Sequence, residues 1–203
     1  LFNTFIWDFD GTLFDTYPMI VQGYVLALKD YGIESSKEEV YRILKEYSSA
    51  AIAEKYRLDF TELSKKAKKH EEKVAYVPKS FAGTQDVLQK IVANNKKNMI
   101  LTHRLSASTQ KLLEYEQLAD LVTEIVGPEN NFARKPDPEA LNYLLDKYSL
   151  DPETTVMIGD RALDVDAGKN TGVQTLFFDN ENLLTDIQAD YRVTSIPAIK
   201  EFI

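Results

Sequence analysis

The chain of 203 residues contains no cysteine, which excludes disulfides and every thiolate metal site. That absence fits a reducing compartment. It also contains no apolar run long enough to span a membrane. The N-terminus has no basic region, and Asp8 interrupts its only apolar stretch, so it does not read as a secretory leader. The first residue is Leu1 rather than methionine, and whether residues precede it is not written in the sequence. Basic residues are outnumbered: 24 Lys and Arg stand against 32 Asp and Glu, for a net charge of −8. A duplex nucleic-acid binder needs a basic face, and this balance promises none. Repeats and low-complexity segments are also missing. What remains is an acidic chain, expected in the cytoplasm, long enough for one domain with a smaller insertion.

Its apolar residues are ordered in two ways. Residues 3–9 read as a buried strand, and from Thr16 to about Tyr76 only helical patterns follow. Ile20, Val21, Tyr24, Val25 and Leu28 recur at helical spacing before Gly32. Ser36 with Glu39 predicts a capping box, Ala50 to Tyr56 a third helix, and Asp59 the start of a fourth through "LSKKAKKHEEKVA". The lysine-rich run reads as a solvated helix face. After Pro78 strands alternate with helices: Asn98–Thr102, Leu121–Val126, the segment "TTVMIGD", the segment "VQTLFF", and a short Tyr191–Thr194. Asp137 and Pro138 mark a helix start, as does Thr84. Such alternation predicts an α/β fold, a Rossmann-like three-layer core around a parallel sheet. The core is expected over residues 1–15 and 78–203, with an inserted all-helical cap over 16–77.

In a parallel sheet covered on both faces, ligands bind beyond the carboxyl ends of the strands. The first strand delivers Asp8 and Asp10 there, in "FIWDFDGTLFDT". The second delivers Thr102, the third leads to Arg134 and Lys135, and the fourth delivers Gly159, Asp160 and Asp164. Singly, each has a plain reading as a turn residue, a cap or surface charge. Together they converge on one edge. Three carboxylates at one point repel, and a hard divalent cation such as Mg²⁺ removes the conflict. Thr102 adds a hydroxyl and Lys135 a compact cation, both suited to a phosphate. Gly11 lets the chain turn with its amides near that anion. Alternation along an extended strand would point Asp8 and Asp10 the same way and Phe9 into the core. One carboxylate can then attack phosphorus while the other moves protons.

These stretches resemble the haloacid dehalogenase-like hydrolases, with the phosphoglycolate phosphatase-like branch the closest match. "DFDGTLFDT" is similar to the first family motif, Thr102 to the second, Lys135 in "RKPDPEAL" to the third, and "IGDRALDVDAGKNTG" to the fourth. The resemblance implies a magnesium-dependent phosphatase working through an aspartyl-phosphate. Asp8 would be nucleophile and metal ligand, and Asp10 the acid–base, with its backbone carbonyl on the metal. Asp160 would ligate Mg²⁺, with Asp164 supporting it through water or by orienting Lys135. Thr102, Lys135 and amides near Gly11 and His103 would bind the phosphoryl group. The implied partner is a small phosphorylated metabolite, not nucleic acid or membrane, and the implied state a monomer or weak dimer.

"THR" departs from the Thr-Asn-Lys of many relatives, and Arg161 replaces a small residue. His103, Arg104, Arg134 and Arg161 are therefore candidates for structural or substrate contacts, as are Arg42, Tyr47, Ser48 and Ser49 in the cap. Phosphonate cleavage through a cap lysine (Lys29, Lys37, Lys45 or Lys55), phosphomutase chemistry, and non-catalytic phosphate binding are the competing readings. Asp10 argues against a dehalogenase.

Overall fold

The computed structural model describes residues 1–203. The chain divides into two compact units, residues 1–14 with 79–203, and residues 15–78.

The larger unit is built on a sheet of β1 (Thr4–Trp7), β2 (Lys97–Leu101), β3 (Glu124–Val126), β4 (Thr155–Gly159), β5 (Gln174–Phe178) and β6 (Tyr191–Val193). Their order is β3-β2-β1-β4-β5-β6, and every pair is parallel. The chain builds outward from β1 on one side, then returns to lay β4 on the other. The order therefore reverses between β1 and β4, the place where such sheets leave a crevice. The strands are buried on both faces and largely apolar, as parallel strands must be. Phe5, Trp7, Ile100, Val156, Ile158 and Phe178 pack on one face beneath α5 (Thr84–Ala93) and Leu113 of α6 (Ser106–Tyr115). Ile6, Met99, Leu101 and Met157 pack on the other beneath α7 (Glu139–Tyr148) and Ala167 of α8 (Ala162–Thr171).

Trp7 is fully buried, and its indole N–H donates to Asn98 Oδ1 at 3.0 Å. The Asn98 amide in turn donates to the carbonyls of Leu88 and Leu121. This polar thread through an apolar face is stable because each buried donor finds an acceptor.

The smaller unit holds α1 (Tyr17–Asp30), α2 (Lys37–Glu46), α3 (Ser49–Tyr56) and α4 (Phe60–Glu71) around Tyr24, Leu28, Val40, Leu44, Ile52 and Leu63. Ser36, Ser48 and Asp59 each cap a helix by accepting a backbone N–H. Only half of the expected capping box forms. The Glu39 carboxylate turns instead to Lys55 at 2.5 Å and Tyr56 at 2.9 Å, binding α2 to α3. Gly23 on α1 lies against Ala67 and Glu71 of α4, and a methyl group there would meet the Ala67 carbonyl oxygen at 2.8 Å.

Several boundaries differ from expectation. The third strand is three residues, because Ala119–Leu121 winds into a 3₁₀ turn. The α5 helix starts from Gly83, with Thr84 already in its first turn. Asp137 serves α7 from one position further out, accepting the Glu139 N–H while Pro138 takes the cap position. After β6 the chain ends in a 3₁₀ helix over Ile196–Phe202. No helix is long and apolar enough to cross a membrane.

Candidate active site

The register of the central strands sets the site. Trp7 pairs with both Ile100 and Ile158, so the next residue, Asp8, lies level with the ends of β2 and β4. Its N–H still donates to Ile158 O at 2.8 Å. The strand itself ends at Trp7, so alternation along an extended strand does not place Asp10, contrary to the expectation from sequence. A turn places it. The Phe9 carbonyl accepts the N–H groups of Thr12, Leu13 and Phe14, and the Gly11 N–H donates to Phe14 O. Gly11 holds φ at +78°, which a residue with a side chain adopts only under strain. Phe9 is buried in the core, as expected.

Asp8, Asp160 and Asp164 come together, with one oxygen of each within 4.8 Å of the others. All three are buried. Lys135 enters from the loop after β3. Its Nζ donates to Asp8 Oδ1 and Asp164 Oδ1, both at 2.6 Å, and to the Leu101 carbonyl at 3.0 Å. The side chains of Lys135 and Asp8 are 1% and 2% exposed. Asp164 keeps its second oxygen on the Arg161 N–H at 3.2 Å. It lies so close under Gly159 that a methyl group on that residue would overlap its carboxylate. Asp160 accepts from the Thr12 hydroxyl at 3.3 Å.

The charge balance of this cluster is the informative part. Three buried carboxylates share the Lys135 ammonium, and the Arg161 guanidinium acts on Asp8 more weakly than burial does, so negative charge is in excess inside the protein. Burial, only partly offset by Lys135 and reinforced by Asp164, pushes the Asp8 carboxyl up from an ordinary 3.8 to about 7. Burial pulls the Lys135 ammonium down, but Asp164 and Asp8 outweigh it and hold it above an ordinary lysine. The cluster therefore either takes up a proton or takes up a cation. Asp8 Oδ2 is buried and has no hydrogen-bond partner. An all-oxygen donor set, an excess of negative charge and an orphaned carboxylate oxygen fit a hard divalent ion.

The remaining expected site residues are divided. Thr102 is buried, and its hydroxyl oxygen accepts the Arg104 N–H at 3.0 Å. His103 Nε2 accepts the Lys135 backbone N–H at 3.1 Å. Burial, with Lys135, Arg134 and Arg161 nearby, holds that imidazole far below the usual histidine range, so it is neutral and free to accept. The Asp10 side chain stands outside the three-carboxylate group and pairs with Arg104 Nε at 2.8 Å. A cavity of about 340 Å³ lies beside Thr102, His103, Arg134 and Lys135, with Asn131 and Phe132 also in its lining.

In the helical unit the candidates separate by environment. Arg42 pairs along its own helix with Glu46 on the surface, Tyr47 is exposed, and Ser48 is occupied as a cap with Ser49 beginning α3. Lys55 is engaged by Glu39. Lys45 is buried, with its ammonium 5.3 Å from the centre of the Tyr17 ring. Sequence reasoning did not single out Arg104 as the partner of Asp10, nor Gly159 as the seat of Asp164. The signal for the second was present, since a glycine ending an apolar strand before an acidic pair implies close packing.

Comparison with known proteins adds to this geometry. Residues 5–178 match the model of a family described as haloacid dehalogenase-like hydrolase. A phosphoglycolate phosphatase from Aliivibrio fischeri is 27% identical over 202 residues, covering 91% of this chain and 88% of that protein. The pyrophosphatase PpaX of Oceanobacillus iheyensis is 23% identical, covering 97% and 94%. Among solved structures, a hydrolase from Streptococcus pneumoniae is 30% identical with a TM-score of 0.65, covering 98% of this chain and 97% of that one.

Proposed function

The chain belongs to the haloacid dehalogenase-like hydrolases, and from that premise we propose that it is a magnesium-dependent phosphatase acting on a small phosphomonoester through an aspartyl-phosphate. The observation that carries the reading is the buried Asp8–Lys135–Asp164 bridge beside Asp160, with one oxygen of Asp8 left unengaged. Asp8, Asp160 and Asp164, with the Asp10 carbonyl, would hold Mg²⁺. When bound, the ion offsets negative charge on the transferred phosphoryl group.

The chain's own residues supply the rest. The Asp8 carboxylate forms a bond to phosphorus as the ester oxygen–phosphorus bond breaks, and Asp10 gives a proton to the departing oxygen. Asp10 then takes a proton from water as the water oxygen attacks phosphorus, and the Asp8–phosphorus link breaks to release phosphate. Lys135 and Thr102 hold the phosphoryl oxygens, joined by amides at Gly11 and His103. Asp164 holds Lys135 in place.

Residues 15–78 serve as a cap that selects the leaving group and excludes water during transfer. The relatives named above are a phosphoglycolate phosphatase and a pyrophosphatase, which supports a small soluble phosphorylated substrate. The protein works as a monomer or weak dimer in the cytoplasm.

Release of phosphate from p-nitrophenyl phosphate tests the reading. Turnover is expected with Mg²⁺, is lost in EDTA, and is abolished in Asp8→Asn. Unchanged turnover in that variant, or turnover indifferent to the metal, would overturn it.

A further inference from the structure

Asp8 and Asp10 are two residues apart, yet they answer to different cations. Asp8 is held by Lys135, whereas Asp10 Oδ1 accepts from Arg104 Nε at 2.8 Å. We propose that Arg104 is a positioning residue, fixing Asp10 in the orientation from which it moves protons to and from the reacting oxygens.

Arg104 is built for that task. Its backbone N–H is tied to the Thr102 hydroxyl at 3.0 Å, which fixes where the side chain starts. Its Nη1 donates to Ser108 Oγ on α6 at 3.2 Å, which fixes where the side chain ends. Between these anchors the guanidinium presents Nε to Asp10, and the two side chains are only 11% and 18% exposed. A planar guanidinium with several fixed donors orients a carboxylate in a way a lysine ammonium does not. Asp10 needs such help because it sits on a turn rather than on a strand. Occupying Oδ1 leaves Oδ2 for the reacting oxygen. A carboxylate held to within a fraction of an ångström transfers protons efficiently, whereas one free to rotate spends most of its time misaligned.

The inference rests on the phosphatase reading given above, in which Asp10 is the acid–base. It separates from a merely structural role through the leaving group. Nitrophenolate departs readily without a proton, whereas an alkoxide does not. General acid catalysis contributes about 10²- to 10⁴-fold. Arg104→Ala is therefore expected to lower kcat/KM by less than about 10-fold for p-nitrophenyl phosphate and by about 100-fold or more for an alkyl phosphate. Arg104→Lys keeps a charge within reach of Asp10 and is expected to recover part of the alkyl-phosphate rate. If the alanine variant does not fold, Arg104→Gln and Arg104→Lys carry the same comparison.

A loss equal for both esters, or no loss, would overturn the proposal. So would a loss confined to alkyl phosphates that bear a carboxylate, which would make Arg104 a substrate contact. Failure of the underlying reading looks different. In that case the wild-type protein releases no phosphate from either ester.

Discussion

Replacing Asp8 with asparagine removes one negative charge from a buried cluster rich in carboxylates, and the consequence for stability can be worked out in sign and size. In the folded protein without metal, burial raises the Asp8 carboxyl from 3.8 to about 7. Below pH 4 both folded and unfolded chains hold the proton, and the group contributes nothing. Between pH 4 and 7 the unfolded chain ionises while the folded one does not, so the unfolded state gains and stability falls as pH rises. Above 7 both forms are ionised and the loss is complete. The window spans about three pH units at about 1.4 kcal/mol each, or about 4 kcal/mol in all. The side-chain amide of the variant cannot ionise and escapes this loss. Relative to wild type in EDTA, Asp8→Asn should therefore gain stability steadily from pH 4 to 7. For a chain of this length that is about 8 to 16 °C in Tm. Mg²⁺ should then restore the wild type at pH 8 and leave the variant nearly unmoved, because a ligand stabilises only the form that binds it. Thermal or urea unfolding over a pH series measures all of this. Unfolding curves for the two proteins that stay parallel across pH, or that diverge the other way, would refute the argument that Asp8 is strained by burial.

Two further substitutions probe the same cluster from its other sides. Lys135→Met leaves the Asp8 and Asp164 carboxylates buried without their shared ammonium, and breaking a buried ion pair costs about 3 to 5 kcal/mol. The loss should be large at pH 8 and smaller at pH 5, where burial keeps the proton on Asp8, and denaturant midpoints at the two pH values check it. Gly159→Ala places a methyl group against the Asp164 carboxylate and should displace it from Lys135. Phosphatase activity is expected to fall by at least about 10-fold with a stability loss of about 1 to 3 kcal/mol, the cost of overpacking a tight site. Activity equal to wild type would mean that Asp164 need not lie where it does.

The sheet and helices were legible because their signals are local. Ser36, Ser48 and Asp59 cap helices through an N–H three residues on, and β1, β2, β4 and β5 are short apolar runs. Errors arose where a local signal had a distant competitor. Glu39 left its capping box for Lys55 and Tyr56, partners 16 and 17 residues away. Leu121 joined a 3₁₀ turn whose carbonyl serves Asn98 rather than extending β3. The carboxylates were legible because strand ends in such a fold converge whatever the loops do. The pairing of Asp10 with Arg104 across 94 positions was not, because nothing near either residue marks it.

That pairing bears on why two carboxylates can stand so close in sequence without defeating each other. Like charges at short range each resist ionisation unless a separate cation answers each. The turn that follows Trp7 carries Asp10 away from the three-carboxylate group and into the reach of a guanidinium from the loop after β2. Asp8 stays behind, sharing one ammonium with Asp164. One carboxylate thereby has a guanidinium of its own, whereas the other must share its ammonium. Residues of identical chemistry thus come to stand in different electrostatic environments. The glycine at position 11 is the hinge of that division, since its positive φ is what turns the chain between them. Had the strand run on through Asp10, both carboxylates would have projected from the same face with one lysine to serve them and Asp164 as well. The chain would then present a stronger cation trap but no separately held carboxylate.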